Sequence, residues 1–189
     1  LLFASCLDTE PLGNYVTSDE KAETVEQNPD RLEASVTAIT TNFSTFGAVS
    51  GSHSDIGYPG IMLLLDSRGI DMVGKNIGYN WFRFALTYDD IDYTYSDNRM
   101  IWQGMYNQIY SANNVAKSVA ADTENPQLQG YLAQALAIRA FDYFTLVQCY
   151  QKTYGDVDPN TALGVPLITE ANQDDAATNG CPRATVAAT

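Results

Sequence analysis

Basic residues are scarce in this chain. Ten Lys and Arg stand against 23 Asp and Glu, a formal charge of −13. Nucleic acid is thereby excluded as a partner, because phosphate binding needs clustered cations. The same deficit disfavours adsorption to an anionic lipid surface. Histidine is nearly absent, with His53 alone, and the three cysteines form no CxxC pair and no Cys/His cluster. A zinc centre and a Ser–His or Cys–His nucleophile are both excluded, so no metal or cofactor is expected. Sustained alternation of apolar and polar residues is missing too, which leaves room for little or no sheet.

What is present is a chain of 189 residues, 45% of them apolar. That length suits one domain, and the apolar share is enough for a core. Aromatics are dominated by 12 Tyr and 7 Phe. An acidic, tyrosine-rich composition fits an outward-facing binder of neutral ligands. The first residues, Leu1-Leu2-Phe3-Ala4-Ser5-Cys6, have the order of a signal-peptide end. They resemble a bacterial lipobox, with residues 1–5 as the residual signal end and Cys6 as the lipidated residue. Residues 6–28 then read as a polar, acidic tether. Acyl chains on Cys6 would insert at roughly 0.8 kcal/mol per buried methylene.

Periodicity beyond the tether is helical. Asn28-Pro29-Asp30 supplies an N-cap, a first-turn proline and an acidic first turn. Leu32, Val36, Ile39, Phe43 and Phe46 then mark one apolar face. A second helix is predicted over Pro59–Ser67, apolar on most sides and therefore buried. Residues 69–97 form a long irregular stretch rich in Gly, Asn, Asp and Tyr, and loops of that length are often functional. A helix over Asn98–Ala121 and another over Gln127–Tyr150 make a helical hairpin. Leu136 and Arg139 fall among the inward positions of the second. A buried guanidinium needs a partner, and Asp66 or Asp71 is expected to supply it. Val165–Ile168 is a short extended segment, and Cys181–Thr189 reads as the start of a further helix. Cys149 is read as an inert core thiol, with a bond to Cys181 left open.

Several segments, taken in order, resemble the RagB/SusD family. They are the lipobox-like start, Tyr58 through Val73, and Trp102-x-x-x-Tyr106-x-x-Ile109-x-x-x-Asn113-Asn114. Gln134 through Tyr150, Gly164-Val165-Pro166-Leu167, and Pro182 through Val186 follow. The resemblance implies an all-α fold of tetratricopeptide-type helix pairs with long loops. Family members are longer, so residues 29–189 are expected to be the N-terminal part of such a domain, truncated at its C-terminal end. It further implies a non-catalytic lipoprotein on the outer membrane that hands glycans to a SusC-like TonB-dependent transporter. A peptide-binding member, or a helical interaction scaffold without a glycan ligand, remains the alternative. For Trp102, Tyr106, Asn113 and Arg139 it implies packing roles.

Recognition of a neutral sugar needs flat apolar faces for its C–H side and planar amides or carboxylates for its hydroxyls. Tyr79, Asn80, Trp81, Tyr88, Asp92 and Tyr93 supply that mixture within the long loop, together with Asp89, Asp90 and Tyr95. Trp81 is the best stacking candidate. Asp89-Asp90-x-Asp92 is too compact to flank a glycosidic bond as two catalytic acids. Asp156-x-Asp158-x-Asn160 opens like a calcium loop but has Thr161 and Leu167 where Gly and Glu belong.

Overall fold

A computed structural model of the chain describes residues 17–75 and 78–189. Its elements run α1 (Ser18–Gln27), α2 (Asp30–Thr41), α3 (Tyr58–Ser67), α4 (Arg83–Leu86), α5 (Ser96–Lys117) and α6 (Pro126–Tyr150). Then come β1 (Leu163–Pro166), α7 (Gln173–Asn179) and β2 (Arg183–Thr185). The mostly helical expectation holds, with one two-stranded hairpin among the described residues. No described helix is long and apolar enough to cross a membrane.

Helices α5 and α6 form the spine, and a core packs at each end of it. Towards their one end, Val25 of α1 and Leu32, Val36 and Ile39 of α2 bury against Ala112, Val115, Leu128 and Ala135. Towards the other, Ile61 and Leu64 of α3 meet Met100, Met105, Tyr143, Leu146 and Val165. Each fully buried aliphatic side chain contributes roughly 1.5–3 kcal/mol. The start of α6 is set locally: Asn125 Oδ1 accepts the Gln127 N–H at 3.0 Å, and Pro126 takes the first turn.

Several expectations are corrected here. The tether does not extend unbroken to residue 28, because Ser18–Gln27 is helical. Thr17 Oγ1 accepts the Glu20 N–H at 3.2 Å while Glu20 Oε2 accepts the Thr17 N–H at 2.8 Å, a reciprocal cap. Cys6 and residues 1–16 lie outside the described residues. Asn28 caps nothing with its side chain; its N–H closes α1 on Thr24 O, and Pro29 occupies the position before α2. Phe46 is exposed, since the backbone leaves the helical path after Ser44. Helix α3 buries one side only, with Met62 and Leu63 partly in solvent, and Leu136 of α6 also faces outward. The long loop contains the short helix α4. Cys149 and Cys181 are free thiols.

The largest corrections concern the C-terminal segment and Arg139. Residues 183–185 form a strand, antiparallel to β1, with Leu163 opposite Thr185 and Pro166 opposite Arg183. The pairing brings backbones so close at Gly164 that a Cβ there would stand 2.7 Å from Thr185 O. Arg139 pairs with Glu170, and its Nη1 also donates to Asn113 Oδ1 at 2.7 Å. Neither Asp66 nor Asp71 reaches it. Arg139 and Tyr143, one turn apart, both face the segment after β1, where Tyr143 Oη donates to Ile168 O at 2.8 Å. Asn113 Nδ2 donates to Ile168 O and Tyr106 Oη to Pro166 O, so the implied packing roles of these residues hold.

Candidate functional site

Residues 69–75 and 78–95, between α3 and α5, are held by side chains. Arg68, just after α3, donates from Nη2 to Asp90 Oδ2 at 2.8 Å and to Asn98 Oδ1 at 2.7 Å. Asn98 answers from the first turn of α5, its Nδ2 donating to Asp90 O at 2.6 Å and Asp92 O at 3.0 Å. Tyr150, at the end of α6, donates to Asn98 O at 2.6 Å. Tyr88 Oη donates to Arg68 O at 2.6 Å. The loop is therefore pinned at both ends to the helical spine.

Between those pins the backbone is strained. Tyr79, Asn80, Phe82 and Tyr88 all have φ between 54° and 60°. Left-handed geometry costs a residue with a Cβ roughly 1–2 kcal/mol, and such strain tends to gather at functional sites. Among these residues Phe82 alone is buried, anchoring the stretch in the core, while its aromatic neighbours turn outward. Tyr79 is 89% exposed, Tyr93 87%, Tyr88 53% and Trp81 38%.

The six residues expected to contact ligand are thus on the surface, but they do not converge on a single pocket. Asn80 lines a shallow cleft of about 470 Å³ with Met72, Val73, Lys75 and Arg83. Tyr93 lines another, of about 430 Å³, with Ile91, Asn98, Arg99, Trp102 and Tyr150. Tyr79, Trp81, Tyr88 and Asp92 line neither. Asp92 spends one carboxylate oxygen on its own turn, accepting the Thr94 N–H at 2.9 Å, which holds its pKa below the ordinary value. Asp90, one of the acids grouped with them, is fully buried against Arg68 and faces no ligand. Beside it, burial pushes the Asp97 carboxyl up, and the Asp90 charge adds to that.

Sequence reasoning missed three contributors. Trp102 was assigned to packing, yet 37% of it is exposed between its partners Tyr106 and Tyr150, each at a ring separation of 4.9 Å. Arg99 is the one charged side chain lining the Tyr93 cleft. Both lie on one face of α5, three residues apart, a spacing that was available. Arg68 carried no such signal, since its partners sit 22 and 30 residues away. Chemically, the surface offers aromatic faces, phenol and amide groups, the guanidinium groups of Arg83 and Arg99 and the Lys75 ammonium. Among the described residues no group of three His, Cys, Asp or Glu is placed to hold a metal ion. Asp158, in the run that opens like a calcium loop, instead accepts the Asn160 N–H at 3.1 Å and closes its own turn.

A family model described as SusD-like, starch-binding and associating with the outer membrane matches residues 21–189. No curated protein and no solved structure matches.

Proposed function

The chain belongs to the SusD-like family of outer-membrane-associated, non-catalytic nutrient-binding proteins, and from that membership we propose that it captures glycans through the aromatic surface of residues 79–93. Tyr79, Trp81, Tyr88 and Tyr93 offer ring faces to the C–H side of a pyranose, while Asn80 and Asp92 engage its hydroxyls. Trp102 and Arg99 extend the surface from α5. The captured glycan passes to a SusC-like TonB-dependent transporter, and Cys6 carries the lipid that holds the protein at the outer membrane.

The observation that carries the reading is the pinning of exposed aromatics on a fixed loop. The ties of Arg68 to Asp90 and Asn98 place the backbone that carries them, which lowers the cost of ordering it on binding. Calorimetry with a glycan identified on an array, comparing wild type with Trp81→Ala and Tyr93→Ala, tests it. Each variant is expected to weaken binding about tenfold, the effect of roughly 1.4 kcal/mol. Unchanged affinity in both would reject the loop as the site. Fatty-acid labelling that persists in Cys6→Ala would reject the anchor.

A further inference from the structure

A groove runs between α5 and the segment from Pro166 to Cys181, and no residue of the loop from 79 to 93 lines it. It measures about 350 Å³, within the roughly 300–1,000 Å³ of small-molecule sites. Trp102, Tyr106 and Tyr110 come from α5, and Ile168, Ala176 and Ala177 face them from the later segment. No Lys, Arg, Asp or Glu is among the lining residues, although the chain as a whole is strongly charged.

Aromatic rings set the character of the groove. Tyr143, Tyr106 and Trp102 stand in a row, with ring separations of 6.3 Å and 4.9 Å. Trp102 is 37% exposed and Tyr110 56%. Both leave ring surface open for a further ring. The small side chains of Ala176 and Ala177 on α7 leave the space that such a ring would fill.

One buried polar group in the lining lacks a partner. Gln173 is only 5% exposed. Its Nε2 donates to Asn114 Oδ1 at 2.9 Å, which fixes the amide, while its Oε1 accepts from none of the described residues. Buried acceptors normally have partners. The other polar groups inside the groove are already engaged. Tyr106 Oη donates to Pro166 O at 2.7 Å, and Cys181 Sγ lies 3.6 Å from Leu167 O. Asn107 and the Tyr110 hydroxyl belong to exposed residues at the rim. What is missing is a single donor. A ligand covered in hydroxyls would strand most of its own polar groups against these walls.

We infer that this groove binds a small, uncharged aromatic compound with one O–H or N–H donor, of the phenol or indole class. Its ring packs against Trp102 and Tyr110 in the edge-to-face or offset arrangements that aromatic pairs prefer. Its donor meets Gln173 Oε1 and completes the amide's hydrogen bonding. Absence of charge in the lining matches absence of charge in the ligand. The site is separate from glycan capture on the loop and does not depend on it.

Ligand-detected NMR titrations of the full chain with phenol, indole and toluene test the assignment. Toluene keeps the shape of phenol and lacks the donor. Phenol or indole is expected to bind at least about tenfold more tightly than toluene. Gln173→Met, similar in volume but without the acceptor, should bring that probe down to the affinity of toluene. Ala177→Leu, at an exposed position on α7, should weaken it about tenfold by filling the groove, and Trp81→Ala should leave it unchanged. Thermal melts establish which variants fold. Should Gln173→Met melt early, the preference over toluene in wild type and the effect of Ala177→Leu decide together. Failure of phenol and indole to bind overturns the assignment, as does equal affinity for toluene. A preference retained by folded Gln173→Met, or binding untouched by Ala177→Leu, overturns it too. Loss in Trp81→Ala overturns it by placing the compound on the loop. Failure of the glycan proposal leaves the result standing, because Trp81 and Tyr93 lie outside the groove.

Discussion

Arg68 Nη2 stands 2.8 Å from Asp90 Oδ2, and the Asp90 side chain is wholly buried while the guanidinium is one-fifth exposed. The two residues stand 22 positions apart and bracket every residue of the proposed loop site except those from 91 onward. A charge buried this way is tolerated only while its partner stays. Arg68→Ala is therefore expected to destabilise the protein by about 3–5 kcal/mol, the cost of leaving an uncompensated buried charge. Chemical denaturation measures it. Arg68→Ala combined with Asp90→Ala should recover part of that loss, since the stranded carboxylate is then gone. Equal stability of wild type and the single variant would place the pair in solvent.

Gly57 marks a second fixed point of the scaffold. Its φ is +72°, and a Cβ there would stand 2.5 Å from Phe43 O, a backbone atom that cannot swing aside. Two penalties combine, the left-handed backbone and the clash. Gly57→Ala is expected to cost more than about 2 kcal/mol, beyond the roughly 1–2 kcal/mol of left-handed geometry alone. A melting temperature within one degree of wild type would contradict this.

Arg139 tests the other end of the molecule. Its side chain is 17% exposed and joins Glu170 to Asn113, whose Nδ2 in turn holds Ile168 O at 3.0 Å. Arg139→Ala removes two charge-assisted hydrogen bonds, each worth roughly 1.5–3 kcal/mol. Glu170 is more exposed and regains water, so the net loss is expected near 2 kcal/mol rather than their sum. Arg139→Lys should rescue only partly, because both bonds leave one nitrogen, Nη1, at the far end of the guanidinium, and the shorter lysine side chain places its ammonium short of that point. Full rescue by lysine would reduce the interaction to charge alone.

The helical hairpin was legible because its signals are local. The apolar stripes from Trp102 to Ala116 and from Leu128 to Val147 lie within single elements. Helix α1 was missed although Thr17-x-x-Glu20 is a sequence signature, because among its described side chains Val25 alone enters the core and no stripe announced it. Residues 183–185 were read as helix because Ala and Thr follow a proline. What makes them a strand is β1, some 20 residues away, which no local window contains. Arg139 was rightly given an acidic partner and wrongly given Asp66 or Asp71. The identity depended on which side of α6 faces the segment after β1. In the loop, the sequence supplied the aromatics without deciding which face solvent and which pin the loop to the helices, and it did not show the burial of Asp90 beneath Arg68.

Asp142 carries the pH dependence. It is fully buried on α6, neither carboxylate oxygen has a partner, and burial pushes its pKa from 3.8 up to about 8. Between those values the folded protein holds a proton that the unfolded chain releases. Stability must then fall as pH rises, by at most about 1.4 kcal/mol per pH unit. The loss begins near pH 4 and is complete above pH 8. Asp97, also raised by burial, acts in the same direction. Glu20, Asp92 and Asp158 act oppositely, because backbone N–H groups of Thr17, Thr94 and Asn160 lower their pKa values. Their stabilisation is lost only at more acidic pH, so it is constant over the window where Asp142 titrates. Wild type is expected to melt several degrees higher at pH 5.5 than at pH 8. Asp142→Asn, uncharged throughout, should flatten most of that slope, with Asp97 accounting for what persists. It should also melt above wild type at pH 8 while matching it more closely at pH 5.5. Parallel melting profiles for the two proteins across this range would show that Asp142 is not the group responsible.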